Sequence, residues 1–276
     1  MATIEINGIT IGYNDEGDGS PLVLIHGHPF DKSMWSPQFK EFAGSRWRLL
    51  APDLRGYGIS SVVPGKTLLR TFAEDIASFL DAMELDRVIL GGLSMGGQIV
   101  MEFCRLFPDR VLGLVLADTF AAAETPEGKQ IRNDTADRLL REGMAGYAEE
   151  VLDKMVAPRT IEARPTVAEH VRRMMRDTPA AGAAAALRGR AERPDYRKLL
   201  TQITVPSLIV VGQNDEYTPV ADALDMHERV KGSTLAIIQG AAHMPNLEQP
   251  EAFNAALCEF LNNLDNDETG DSTTES

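Results

Sequence analysis

Arg87-Val88-Ile89-Leu90-Gly91-Gly92-Leu93-Ser94-Met95-Gly96-Gly97-Gln98-Ile99-Val100 passes from an apolar, β-branched run into helical spacing across one serine flanked by glycines. Gly92 to Gly96 spell G-x-S-x-G. A strand that turns into a helix over so short a bend forces its central residue into a strained backbone conformation, with room only for very small neighbours. Glycine two residues before and two after Ser94 meets that need. The bend lifts the Ser94 hydroxyl clear of a sheet, at a helix N-terminus whose partial positive charge favours a nearby anion. Beyond it, Ile99, Val100, Phe103 and Leu106 keep helical spacing until Pro108 ends the helix. The pentapeptide alone is common in glycine-rich loops. Strand, elbow and helix in this order make it a mount for a nucleophile.

The rest of the chain supplies the sheet. Thr3–Tyr13 alternates around Asn7-Gly8, a hairpin signal. Leu22–Ile25, Trp47–Ala51, Val111–Ala117, Ser207–Val211 and Thr234–Ile238 read as further strands, and Thr71–Met83 as an amphipathic helix. Such strands alternating with helices predict a mostly parallel sheet covered on both faces. The rhythm breaks over 120–200, where only helical patterns occur; this stretch predicts a helical cap over the strand ends, where ligands of α/β sheets sit. The expected organisation is a core over 1–119, the cap over 120–200, the core again over 201–264, and a disordered acidic tail over 265–276.

Composition narrows the function classes. The 276 residues carry a formal charge of −14, which argues against a nucleic-acid partner. That charge is uneven: 15 Lys/Arg stand against 13 Asp/Glu in 120–200, and 12 against 28 elsewhere. No apolar run is long enough to span a membrane, and the start lacks a basic and apolar leader, so the chain reads as cytoplasmic and unanchored. Cys104 and Cys258 both fall on apolar helical faces and are expected free and buried. No metal-spaced cluster is evident, and neither metal nor cofactor is expected. The expected partner is a small-molecule substrate, with a homodimer left open.

A serine needs a base, and five histidines are available. His170 and His227 lie in helical patterns. His26 and His28 bracket Gly27, without the carboxylates a metal pair would want. His243 follows the strand Thr234–Ile238 in a loop, from which it can reach over the sheet to Ser94; it is the expected base. Its carboxylate partner is expected to be Asp215, just past the strand Ser207–Val211. Glu216 and Asp118 are the rivals, Asp118 being otherwise a turn or cap-hinge residue. Backbone N–H groups of Met95 and His28 are the expected oxyanion donors; Pro29 has none to offer. Met144, Tyr147, Met155, Met174 and Met175 suggest an adaptable apolar roof in the cap, or simply helix packing. Arg132, Arg138, Arg141, Arg172, Arg173 and Arg176 either recruit an anionic substrate or form a solvated, paired face, the reading favoured here.

With the elbow, His26-Gly27-His28-Pro29, Asp53-Leu54-Arg55-Gly56-Tyr57-Gly58-Ile59-Ser60, and His243 followed by Glu248-Gln249-Pro250, the chain resembles the α/β-hydrolase superfamily over Thr3–Leu264. The likeness is to the branch of small carboxylesterases, enol-lactonases and cofactor-free perhydrolases. It implies an eight-stranded, mostly parallel sheet flanked by helices with a helical cap, and the chain order Ser94, Asp215, His243 is the one described for this architecture. The family also places its acid at the end of the preceding strand, where Asp118 stands. Its haloperoxidase-like members usually carry Trp or Phe at the position of His28, which argues against perhydrolysis. Ser94 excludes the aspartate-nucleophile chemistry of dehalogenases and epoxide hydrolases. The resemblance implies a serine hydrolase of small or medium carboxylic esters or lactones. Its alternatives are a carbon–carbon bond hydrolase of a diketone with the same triad, or a non-catalytic ligand-binding scaffold.

Overall fold

Alternation builds the sheet. In β3 (Ser20–Ile25) and β5 (Val88–Leu93), Val23, Ile25, Val88 and Leu90 enter one apolar core, while Leu22, Leu24, Ile89 and Leu93 enter another on the opposite face. The computed structural model describes residues 2–42 and 44–270, apart from the side chains of 265–270. Eight strands form one sheet. The others are β1 (Ala2–Ile6), β2 (Ile9–Glu16), β4 (Trp47–Pro52), β6 (Val111–Ala117), β7 (Ser207–Gly212) and β8 (Thr234–Ile238). Their order is β1-β2-β4-β3-β5-β6-β7-β8, with β2 antiparallel to both neighbours and the remaining pairs parallel. Asn7 (φ 48°) and Gly8 (φ 74°) both take the left-handed backbone that a tight hairpin between β1 and β2 demands.

Helices cover both faces. α1 is Ser36–Phe42, α2 Leu69–Ala82 and α3 Met95–Leu106; α2 and α3 pack into the first core. Between β6 and β7 lie α4 (Pro126–Glu142), α5 (Ala145–Met155), α6 (Pro158–Ala163), α7 (Pro165–Asp177), α8 (Ala180–Arg190) and α9 (Arg197–Leu200). This stretch contains no strand among the described residues, as its patterning predicts. α10 (Val220–Arg229), α11 (Pro245–Glu248) and α12 (Pro250–Gly270) complete the chain. None of the described helices is long and apolar enough to cross a membrane. Of the acidic tail expected to be disordered over 265–276, residues 265–270 continue α12 instead, and those beyond Gly270 lie outside the described residues. One expectation fails here: Cys104 is buried in the first core, but Cys258 is exposed on α12, because the apolar stripe of that helix passes through Phe253, Leu257, Phe260 and Leu261 instead.

At the elbow the backbones approach closely. Ser94 has φ 57° and ψ −117°, and its N–H donates to Ala117 O (2.9 Å). Its own carbonyl accepts from Gln98 N (3.2 Å) and Thr119 Oγ1 (2.7 Å). A Cβ on Gly96 would sit 2.2 Å from Ile25 O, and one on Gly92 2.3 Å from Gly96 C. Only backbone separates β3, β5 and the start of α3. Gly96→Ala is therefore expected to destabilise the fold by about 1–3 kcal/mol, as overpacking does. Gly146, in α5, has nothing within 4 Å of its Cβ position, so Gly146→Ala should stabilise by up to about 1 kcal/mol. Urea midpoints of both variants that move in the same direction would contradict this account.

Candidate active site

Two loops meet at the elbow. The turn after β3 brings Gly27 so close that a Cβ there would lie 3.1 Å from Ser94 Cβ. His26 locks this turn: its Nδ1–H donates to Gly27 O (2.8 Å), and its Nε2 accepts from Leu54 N (2.9 Å) in the loop after β4. Both ring nitrogens are thus engaged and the ring is neutral, a state that burial also favours. No ligand atom remains for a metal. Asp53 fixes the second loop by accepting from Lys32 N (2.9 Å) and Ile59 N (3.0 Å) while pairing with Lys32 Nζ. His28 is buried. Its Nδ1 meets Tyr57 Oη at 2.8 Å, and its Nε2 has no partner.

On the far side of Ser94, the loops after β7 and β8 bring Asp215 and His243 together. His243 Nδ1 lies 2.7 Å from Asp215 Oδ2. Asp215 Oδ1 accepts from Tyr217 N (2.8 Å) and Thr218 N (3.1 Å), and Oδ2 also accepts from Thr218 Oγ1. Burial opposes its charge, but the His243 ring and these donors outweigh it and hold the carboxyl at about 2. Tyr217 lies beside the imidazole, with ring centroids 5.4 Å apart. Glu216 is exposed. Ser94 and His243 line one cavity. Among the described residues no hydrogen bond joins the Ser94 hydroxyl to His243, a gap common in ligand-free sites.

Asp118 stands behind this pair. It is wholly buried with φ 43°, and its Oδ1 accepts from Gly212 N (2.8 Å). Its Oδ2 has no donor facing it. Burial, then the Asp215 charge, push its carboxyl well up and favour its protonated form. Asp118, Asp215 and His243 offer one ligand atom each within 4.8 Å of one another. Asp215 already accepts from four donors. Glu248 secures the His243 loop from below: Oε1 accepts from Ala242 N (2.8 Å) and Met244 N (3.4 Å). Its Oε2 accepts from Ala157 N (2.8 Å) and Thr160 Oγ1 (2.9 Å), at the junction of α5 and α6.

The cavity has a volume of about 340 Å³ and is roofed by helices of the 120–200 segment. Tyr147 and Met155 line it as expected. Met144 and Met174 do not: Met144 packs with Ala136, Leu139 and Leu187, and Met174 joins the second apolar core. Helical spacing gave these methionines one face, but that face docks on neighbouring helices. Five of the six arginines considered for substrate recruitment have carboxylate partners: Arg132 with Glu124, Arg138 with Glu150, Arg141 with Glu142, Arg172 with Glu149 and Glu169, and Arg176 with Asp177. His170 bonds Ser33 Oγ (2.8 Å) outside the cavity. The arginine that sequence reading passed over is Arg190, buried and facing the cavity. It stands in Arg188-Gly189-Arg190-Ala191-Glu192-Arg193, which reads as a charged surface turn.

Residues 20–250 match the family described as alpha/beta hydrolase fold. The chain is 28% identical to 3-oxoadipate enol-lactonase 2 of Acinetobacter baylyi, covering 92% of each chain. Its structure resembles a thermophilic esterase from Thermogutta terrifontis, solved with malate bound (TM-score 0.91, 38% identity, 95% of this chain and 97% of that one). It also resembles the enol-lactonase of Burkholderia xenovorans LB400 (TM-score 0.88, 26% identity, 95% and 100%).

The two buried aspartates should respond to pH with opposite signs. Asp118, raised in the fold, favours folding below the unfolded carboxylate value of ~4, and that contribution drains as pH rises. Asp215, held at about 2, contributes above the unfolded value and loses its contribution as pH falls toward 2. Thermal melts should therefore show Asp118→Asn gaining on wild type as pH rises above about 4, and Asp215→Asn falling behind it as pH rises from about 2 to 4 and holding a constant deficit above that. Parallel pH trends in the two variants would refute the assignment.

Proposed function

We propose a serine-hydrolase chemistry from one premise: the chain belongs to the α/β-hydrolase family. It is a carboxylic ester hydrolase, lactones included, as its esterase and enol-lactonase relatives support. Ser94 is the nucleophile, His243 the base and Asp215 its carboxylate partner. The observation that carries this reading is the His243–Asp215 bond of 2.7 Å at the rim of the cavity that Ser94 also lines.

The course follows from the geometry. With Nδ1–H committed to Asp215, the free nitrogen of His243 is Nε2, the one with a lone pair for the serine proton. Ser94 Oγ attacks the carbonyl carbon as that proton moves to Nε2. The N–H groups of Met95 and His28 receive the charge that develops on the carbonyl oxygen. His243 then gives its proton to the leaving alcohol, or to the alkoxide of an opened lactone. Water, activated by the same imidazole, releases the acid from the acyl-enzyme. Asp215, kept ionised by its donors, stabilises the imidazolium formed in each step.

Ser94→Ala and His243→Ala should each lower kcat/KM for a short-chain ester by roughly 10³-fold or more, and the double variant should be scarcely worse, since such residues act as a unit. A fluorophosphonate probe should label wild type at Ser94 alone. Ester turnover by a folded Ser94→Ala variant within tenfold of wild type would overturn the assignment.

A further inference from the structure

Arg190 closes α8 with a relative exposure of only 7%. Its Nε donates to Gln98 Oε1 (3.2 Å), and among the described residues it makes no ion pair. A buried guanidinium without a counter-charge is costly, since desolvation is unpaid by any attraction. Burial, then the neighbouring cations Arg132 and Arg193, push its ionisation well below the ordinary range. The facing polar groups do not relieve it. The Tyr57 and Tyr147 hydroxyls are neutral, with Tyr57 pushed up by burial, and Glu124 is already held by Arg132 and Arg193. Glu150 is engaged by Arg138.

A second unmet group faces the same space. If His28 gave its Nδ1 proton to Tyr57, the buried phenol hydrogen would have no acceptor and Nε2 no donor. If Tyr57 donates to Nδ1 instead, one orphan remains, an N–H on Nε2 of a ring that burial and Arg190 keep neutral. His28, Arg190, Ser94 and His243 all line the 340 Å³ cavity. Gln98 belongs to this arrangement as well: its N–H donates to Ser94 O, so the amide that steadies Arg190 stands one turn along α3 from the nucleophile.

From these positions we infer that the ester or lactone this cavity takes carries a carboxylate, received by Arg190 with the His28 Nε2–H beside it. The inference rests on Ser94 as nucleophile but adds the substrate class. With Nε committed to Gln98, the guanidinium keeps its Nη1/Nη2 edge, a fork that matches the two oxygens of a planar carboxylate. Lys154, the other lining cation without an ion pair among the described residues, is exposed, so Arg190 is the buried charge, and its planar fork suits a carboxylate better than a tetrahedral phosphate. The cavity, equal to roughly ten water volumes, suits half-esters of short dicarboxylic acids or lactones of matching size.

The test pairs monomethyl esters of malonic to adipic acids with neutral esters ending in an isopropyl group in place of the carboxylate. Wild type should prefer the charged member by about tenfold or more in kcat/KM, and Arg190→Met should erase that preference, since a charge-assisted hydrogen bond is worth about 10–100-fold. Gln98→Leu should raise KM for the half-ester more than it lowers kcat. Phosphate-bearing esters should gain no such preference. Independently of turnover, the free dicarboxylates should raise the melting temperature of Ser94→Ala, while the matching branched monoacids and inorganic phosphate should raise it less. If no ester is hydrolysed but this shift appears, Ser94 as nucleophile fails and the anion site stands. Equal rates on both members of each pair, or no dicarboxylate shift in Ser94→Ala, would overturn the inference, even if Arg190→Met does not fold.

Discussion

Everything at the site depends on three backbones sharing a space too narrow for a methyl group. The end of β3, the end of β5 and the start of α3 meet where a side chain on Gly96 would strike the carbonyl of Ile25. Because they meet, Ser94 takes a left-handed conformation that parallel strands do not otherwise contain, and its carbonyl is retained by Gln98 and Thr119. The strain is local, and the sheet supports it through the bond from Ser94 N to Ala117 O. The same approach brings the His26-Gly27-His28 turn against the serine. One steric constraint thus brings the Ser94 side chain and the turn after β3 together.

The second organising element is a set of buried carboxyls in different protonation states. Asp215 is surrounded by donors and stays ionised; Asp118, behind it, is surrounded by protein, which favours its protonated form. Glu248 accepts from four donors yet is still raised by burial. Their identity as acids says nothing about these states. Burial raises Asp118 and Glu248, and only at Asp215 do the His243 ring and the donors outweigh it.

That difference explains what the sequence could and could not disclose. The elbow, the Asn7-Gly8 hairpin and the strand ends bearing Asp215 and His243 were readable because each depends on local backbone chemistry or on period-two burial. The relation of Asp118 to Asp215 was not, since it arises across adjacent parallel strands 97 positions apart in sequence. The cap was readable as helical and unreadable as a surface: Met144 and Met174 have the spacing of a lining and the position of a core. Arg190 escaped notice for the converse reason. Its sequence neighbours are charged and glycyl, the company of an exposed turn, and only the packing of α8 against α4 and the loops bearing Gly56 and Thr67 removes it from water.

Glu248 joins parts of the protein that the chain order keeps far apart. One of its oxygens holds the backbone on both sides of His243, the other the start of α6, and Arg164 Nη1 donates to its carbonyl at 2.7 Å. Swinging the roof away at Ala157 would strand a buried carboxylate, at about 1–3 kcal/mol for each donor lost. That corner is accordingly a pivot and not a leaf. Along α4, by contrast, Ile131 and Leu140 lie open to solvent.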